Sequence, residues 1–216
     1  MNIKDMPKLE SPFIRLQIKN KYVVTPKIDP DYTWVFEDDS VRAIEKLDGT
    51  NVSIVVQGGR ITSVWNRENP VDILSISPVM DALRNSYEKG LCRFIDGQYF
   101  GEAIGEKING NPHEIKGNVW LPLNWMWDNL SYKTWGQYPK DFDSISSWFK
   151  AGLLSLYGMR EHHGDKTKYC EGVVFTHPDG RMAKLRRDMF DWYQDEKKHK
   201  WLEKQGVINK TVKSKK

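Results

Sequence analysis

Residues 45–51 read EKLDGTN and place one lysine, Lys46, beside an acid and the Asp48-Gly49 pair at the mouth of a predicted β-hairpin. An ordinary lysine, with a reference pKa of about 10.4, is protonated at neutral pH and attacks little. Desolvation or neighbouring cations lower the pKa of a lysine and thereby make it a better nucleophile. We therefore expect positive groups from other parts of the chain to lie near Lys46.

A strand and turn pattern follows this heptapeptide directly. Residues 51–57 alternate apolar and polar side chains, Gly58-Gly59 reverses the chain, and residues 60–66 return. This pattern is typical of a hairpin with a two-residue turn. A second hairpin is predicted from residues 171–176 and 181–187, because Pro178-Asp179-Gly180 between them is a turn sequence.

Further elements complete a mixed architecture. A strand is predicted from Cys92 to Ala103, and helices are predicted at residues 143–157 and 188–205. Another helix begins at Ser77-Pro78 and stops at Gly90, with one apolar face made by Met80, Leu83 and Tyr87. The pattern indicates an α+β fold in which antiparallel strands carry the charged residues and helices pack outside.

Five segments hold charged residues inside or next to apolar strands, where a purely structural protein rarely places them. Any one of them alone fits a surface charge, but five in one chain do not. Together they supply a lysine nucleophile, further cations and carboxylates, which is the mixture that phosphoryl chemistry requires. The five segments contain Lys46 with Asp48, Arg67, Glu102 between Gly101 and Gly105, Glu171, and Lys184 with Arg186 on one strand face.

The stretch Lys46-Leu47-Asp48-Gly49 resembles the KxDG motif of the covalent nucleotidyltransferases, which include polynucleotide ligases and mRNA capping enzymes. The other four segments follow in the order of that superfamily over residues 41–187. With Thr50-Asn51 the motif is most similar to that of ATP-dependent RNA ligases of the compact phage type, whereas DNA ligases and capping enzymes more often have arginine at the position of Asn51. The resemblance implies an ATP-grasp-like adenylation domain and a role in RNA repair.

The resemblance also implies a role for each matched residue. Lys46 would attack the α-phosphorus of ATP to form lysyl-AMP, the AMP would pass to a 5′-phosphate of RNA, and a 3′-hydroxyl would displace it. Lys184 and Arg186 would hold the α-phosphate, and Glu171 would associate with Mg²⁺ or Mn²⁺. The implied nucleotide-binding residues are Glu45 through its backbone at adenine, Asp48, Gly49, Asn51, Arg67 at a phosphate, Glu102 at the ribose, and Trp120.

The chain departs from the family pattern at three places. The family has an aromatic residue that stacks on adenine, but the matching position near residues 120–123 is aliphatic, so Trp120 or Trp125 would substitute. Arg186 stands where a second lysine is frequent, and the two side chains are not interchangeable. Little chain follows Arg187, so we expect end recognition to come from the core, from the basic end of the chain or from an accessory protein.

Composition sets the remaining expectations. The chain has 216 residues, a net charge of +4 and two cysteines without metal-ligand spacing. We expect one adenylyltransferase domain at residues 1–196 and a basic tail at residues 197–216, which either grips RNA through its phosphates or only solubilises the terminus. Because no long apolar run occurs, we expect no membrane contact and a cytoplasmic location, in the host cytoplasm if the protein is viral.

Three alternatives to an RNA ligase acting on nicked or splinted duplexes stay open at this point. A small ATP-dependent DNA ligase is the nearest of them. A catalytically silent nucleic-acid-binding module would keep the fold but would not need a nucleophile. A guanylyltransferase would use GTP in place of ATP.

Overall fold

Antiparallel sheets form the framework of the chain in the computed structural model, which describes residues 4–18, 21–92, 94–137, 139–161 and 168–193. The strands are β1 Phe13–Ile18, β2 Lys21–Ile28, β3 Arg42–Lys46, β4 Thr50–Gln57, β5 Arg60–Asn66, β6 Asn69–Val71, β7 Gly97–Gly105, β8 Asn118–Pro122, β9 Gly172–Thr176 and β10 Met182–Arg186. The helices are α1 Trp34–Glu37, α2 Pro78–Glu88, α3 Leu123–Asn129, α4 Phe142–Ser147 and α5 Leu156–Glu161. The predicted α+β class is confirmed.

A five-stranded sheet with the order β6-β5-β4-β7-β8 contains the first predicted hairpin. Gly58 and Gly59 make its two-residue turn with φ angles of 57° and 71°, a region that glycine enters without steric cost. Val52, Ile54 and Val56 of β4 are at most 3% exposed and share an apolar core with the buried side of α2. The hairpin prediction is confirmed.

A three-stranded sheet with the order β10-β9-β3 contains the second predicted hairpin, which is also confirmed. The strand register places Lys46 of β3 and Arg186 of β10 on opposite sides of Gly172 in β9. Glu171 immediately precedes that glycine. The register therefore gathers two predicted catalytic residues, Lys46 and Arg186, and the predicted metal ligand Glu171 at one end of the sheet.

The helix predicted at Ser77-Pro78 is α2. Ser77 Oγ accepts a hydrogen bond from the Met80 N–H at 3.3 Å, and Gly90 follows the helix with a φ of 74°. Tyr87 is 67% exposed, however, so its predicted position on the buried face is wrong. The fully buried side chain at this level of the helix is Ser86.

The helix predicted over residues 143–157 is divided. Asp141, rather than Asp143, caps α4 by accepting a hydrogen bond from the Ser144 N–H at 2.9 Å. A π-helical turn then runs to Gly152, a residue of low helix propensity, and α5 begins only at Leu156.

Two other boundaries also differ from the predictions. The strand predicted from Cys92 begins at Gly97, because Asp96-Gly97 starts the strand instead of interrupting it. A 3₁₀ turn over Arg187–Met189 occupies the predicted start of the terminal helix, and residues 194–205 of that helix lie outside the described residues. The predicted boundary at residue 196 and the basic tail also lie there. No helix among the described residues has the length and apolarity needed to cross a membrane.

A buried serine links α2 to β8 and gives a test of this packing. Ser86 Oγ lies 2.7 Å from the Trp120 carbonyl oxygen and accepts a hydrogen bond from the Trp120 N–H at 2.8 Å. We expect Ser86→Ala to lower the free energy of unfolding by about 1–3 kcal/mol, because it leaves these buried groups without a partner. The control Tyr87→Ala, at the exposed neighbour, should change it by less than about 0.5 kcal/mol in urea unfolding. Equal stability of the two variants would contradict the packing described.

Candidate active site

An ion pair between Lys46 and Glu171 is the centre of the site. Lys46 Nζ donates to Glu171 Oε2 at 2.6 Å, and the two side chains are 23% and 25% exposed. Lys46 Nζ also contacts the Leu47 carbonyl oxygen at 3.3 Å. The pair joins positions 125 residues apart in the sequence, because β3 and β9 are neighbours in the three-stranded sheet.

A cavity of about 230 Å³ opens next to Lys46. Its walls come from both larger sheets, with Lys184 on the three-stranded sheet and Asn51 and Glu102 on the five-stranded sheet. Arg67, at the end of the first hairpin, also lines it, as the sequence predicted. The predicted site residues at this cavity are Lys46, Gly49, Asn51, Arg67, Glu102 and Lys184.

Glu102 is the partly buried acid of the cavity. It pairs with Asn51 across the β4–β7 register. Burial raises the pKa of the Glu102 carboxyl to about 7, although the positive charges of Lys46 and Arg67 oppose the rise. A buried carboxyl next to two cations can accept hydrogen bonds from a sugar hydroxyl, and strongly shifted acids of this kind concentrate at functional sites.

Lys184 and Arg186 extend from the same face of β10 but line different cavities. Lys184 lines the cavity, and its pKa is lowered, first by burial and then by the positive charges of Arg186 and Lys46. Arg186 lies 3.6 Å from Glu171 Oε1, and its Nε lies 3.1 Å from Asp188 Oδ1. Arg186 and Lys46 thus contact different oxygens of the Glu171 carboxylate.

The loop after Lys46 is held by His113 and Asn109, which are not among the predicted site residues. The Asp48 N–H donates to His113 Nε2 at 3.2 Å, and Asn109 Nδ2 donates to the Gly49 carbonyl oxygen at 2.5 Å. Burial lowers the pKa of His113 to about 4, so that its imidazole is neutral and can accept. A Cβ on Gly49 would lie 2.3 Å from the Ala103 carbonyl oxygen, so only glycine fits. No spacing in the sequence pointed to His113.

Glu45 is not among the described residues that line the cavity. Its side chain is fully buried on the other face of β3, where the carboxylate accepts hydrogen bonds from Ser155 Oγ at 2.6 Å and from the Tyr157 N–H at 2.8 Å. Burial raises its pKa to about 7. The Glu45 N–H donates to the Leu130 carbonyl oxygen at 2.9 Å. The structure therefore gives the Glu45 side chain and N–H structural partners, and the predicted contact of its backbone with adenine stays a prediction.

Trp120 does not lie where it could bind a nucleotide, the role predicted for it. It is fully buried in the core beneath α2, and its Nε1 donates to the Val52 carbonyl oxygen at 3.0 Å. The prediction that Trp120 binds the nucleotide is wrong. Trp125 does not replace it, because the Arg160 guanidinium covers its ring at 5.5 Å and the ring is not part of the described cavity wall. The apolar wall instead includes Phe100, Leu123 and Met126.

A second cavity, of about 500 Å³, lies on the other side of Glu171. Asp48, a predicted nucleotide-binding residue, lines this space together with His113, Lys168, Glu171, Arg186 and Arg187. The ion pair of Lys46 and Glu171 thus lies where the two cavities approach each other. One charged pair can act on ligands in both.

The acids of the site could hold a divalent cation only together with phosphate oxygens and water. Within the described part of the chain, no three His, Cys, Asp or Glu side chains are grouped so that they could hold a metal ion by themselves. Magnesium is commonly held by one or two carboxylates together with phosphate oxygens and water. Glu171, whose carboxylate faces Lys46, can supply such a ligand next to a bound nucleotide.

The chain matches no family model, and no curated protein is similar to it in sequence. Solved structures of an RNA ligase from Naegleria gruberi are similar in fold. An aspartate-to-alanine variant in the apo state has a TM-score of 0.52 at 17% identity, covering 91% of this chain and 60% of that one. A glutamate-to-alanine variant with ATP and Mn has a TM-score of 0.50 at 16% identity, covering 87% and 62%. This chain therefore shares its fold with that RNA ligase and spans about three fifths of that ligase's length.

The raised pKa of Glu102 makes stability depend on pH. Because the folded-state pKa is about 7 and the ordinary value is 4.5, the folded protein holds this proton more tightly. The resulting stabilisation is present below about pH 4.5 and is lost as the pH rises through about 7. In Glu102→Gln the loss between about pH 5 and about pH 8 should be smaller by on the order of 2 kcal/mol.

Urea unfolding of the wild-type protein and the glutamine variant at both pH values measures this difference. Glu45 titrates in the same direction in both proteins, so its contribution cancels. Parallel pH profiles would show that Glu102 is not buried as described.

Proposed function

We propose that this protein is an ATP-dependent RNA ligase that seals 5′-phosphate and 3′-hydroxyl ends through lysyl-AMP and an adenylylated RNA end. The observation that carries the proposal is the ion pair of Lys46 with Glu171 at a cavity that also contains Lys184, Arg67 and Glu102. A structural ion pair would not need these further charges around it. Their convergence from distant segments supports a site built for a phosphorylated ligand.

In the first step, Lys46 Nζ bonds to the α-phosphorus of ATP while the bond to the bridging oxygen breaks and pyrophosphate leaves with the electron pair. The lysine must first leave Glu171 and lose a proton to solvent. Lys184 and Arg67 offset the negative charge on the phosphates, and Glu102 accepts hydrogen bonds from the ribose. Mg²⁺ or Mn²⁺ bound by Glu171 together with phosphate oxygens would neutralise further charge on the nucleotide.

The later steps require a second substrate, and the second cavity offers a place for it. Its wall shares Glu171 with the ion pair and carries Arg186 and Lys168. We infer that the 5′-phosphate of RNA approaches from this side, where Arg186 can bind phosphate bidentately. The proposed basic tail at residues 197–216 would add an electrostatic grip on the RNA, with the adenylyltransferase domain at residues 1–196.

The phage-type motif at Lys46-Leu47-Asp48-Gly49-Thr50-Asn51 supports RNA as the substrate and RNA repair as the process. A cytoplasmic location, in a host cell if the protein is viral, follows from the same proposal. We also propose an accessory protein as one route to recognition of the RNA ends.

Covalent labelling tests the nucleophile. Incubation with α-labelled ATP and Mg²⁺ or Mn²⁺ should transfer the label to the protein in a form that survives denaturing electrophoresis. Lys46→Ala should abolish the label, because it removes the attacking nitrogen. Lys27→Ala, at an exposed lysine of β2, should label like the wild-type protein. Labelling that persists in Lys46→Ala would contradict the assignment, and absent labelling of the wild type would favour a silent binding module.

A substrate panel tests the preference for RNA. We expect sealing of a nicked RNA duplex and of RNA ends on a splint, with at least about tenfold slower sealing of the matching all-DNA nick. The comparison uses the same sequence and the same enzyme preparation for each duplex. Equal or faster sealing of DNA would identify a small DNA ligase instead, and labelling by GTP in preference to ATP would indicate a guanylyltransferase.

A further inference from the structure

Residues 4–10 border the proposed nucleotide cavity and are called the N-terminal strap here. At one end, the Lys4 N–H donates to Gln98 Oε1 at 3.0 Å, and the Lys4 carbonyl oxygen accepts from Gln98 Nε2 at 2.7 Å. At the other end, the Glu10 carbonyl oxygen accepts from the Lys184 N–H at 2.8 Å. Gln98 belongs to the five-stranded sheet and Lys184 to the three-stranded sheet. The strap therefore connects the two sheets that enclose the cavity.

The middle of the strap forms part of the cavity wall. Met6, Pro7, Lys8 and Leu9 line the same space as Lys46. Asn51 Nδ2 donates to Met6 Sδ at 3.0 Å, so the strap contacts a predicted nucleotide-binding residue directly. A nucleotide in this cavity would thus have the strap as a neighbour.

Lys8 is the cation of this wall. Its side chain is 81% exposed, and its ion pair with Glu10 Oε1 is 3.7 Å long. The Glu10 carboxylate makes its closer contact with the Arg15 guanidinium. An exposed lysine with one long ion pair gains little energy from it and can turn towards another anion.

The position of Lys8 favours one part of the nucleotide. In the proposed reaction the α-phosphate must lie at Lys46 and Lys184, inside the cavity. Lys8 lies two residues before Glu10, whose carbonyl oxygen accepts from the Lys184 N–H. The Cα atoms of Lys8 and Glu10 can therefore be at most about 7 Å apart. The β- and γ-phosphates follow the α-phosphate in ATP, so they are the groups that an exposed cation on this wall can contact.

We propose that the N-terminal strap is a wall of the nucleotide site and that Lys8 binds the β- and γ-phosphates of ATP. The inference rests on the proposed function and adds to it a residue outside the five segments of the family motif. Lys8 would favour binding of the triphosphate and would offset the charge that develops on the departing pyrophosphate.

Nucleotide binding to the full chain tests the role of Lys8. The probes are AMP and α,β-methylene-ATP, whose carbon bridge prevents release of pyrophosphate, each titrated in the presence of Mg²⁺. Lys8→Ala should weaken binding of α,β-methylene-ATP by roughly three- to tenfold and binding of AMP by less than about twofold, because AMP lacks the outer phosphates. Lys8→Arg should restore most of the affinity by restoring the charge. Lys27→Ala controls for the loss of a lysine elsewhere.

The outcomes separate this inference from the proposed function. If the wild-type protein becomes labelled by ATP but Lys8→Ala binds both nucleotides like the wild type, the role of Lys8 is wrong and the ligase proposal stands. Equal weakening of both nucleotides would also overturn it, because that loss would come from the wall and not from the phosphates. Tighter binding of α,β-methylene-ATP by Lys8→Ala would overturn it as well, because Lys8 would then oppose binding of the triphosphate. If the wild-type protein binds neither probe and takes no label, the proposed function itself is contradicted.

Discussion

The site depends on the ion pair between Lys46 and Glu171, and that pair depends on the register of β3 against β9. The register places Lys46 directly opposite Gly172, next to Glu171. A Cβ at Gly172 would lie 2.2 Å from the Leu185 carbonyl oxygen, so the close approach of β10 requires glycine there. A slip of one residue would turn Lys46 to the opposite face and separate it from the acid.

Stability alone does not account for this arrangement of charges. An ion pair whose partners are each about one quarter exposed contributes little net energy, since desolvation offsets much of the attraction. The raised pKa of Glu102 and the lowered pKa of Lys184 both act against stability near neutral pH. Costs of this kind are expected where residues are kept for a ligand, and here both residues line the cavity beside Lys46.

Much of the framework followed from the sequence because strands and tight turns are local. Gly58-Gly59 and Pro178-Asp179-Gly180 specify their hairpins, and the two-residue spacing of Lys184 and Arg186 specifies a shared face. The same alternation predicts that the side chain of Glu45, which precedes Lys46 in β3, points to the other face. The sequence could not predict contacts that depend on tertiary packing. Trp120 is buried because α2 covers β8, and His113 and the strap reach the site from segments without a periodic pattern.

The most direct measurement of the central claim is mass spectrometric mapping of the chain after incubation with ATP and a divalent cation. The account predicts that AMP is attached to the peptide that contains Lys46, that fragmentation assigns it to this side chain, and that Glu171→Gln lowers the attached amount. AMP attached to a different lysine, or unchanged attachment in Glu171→Gln, would contradict the claim that this ion pair is where nucleotidyl transfer begins.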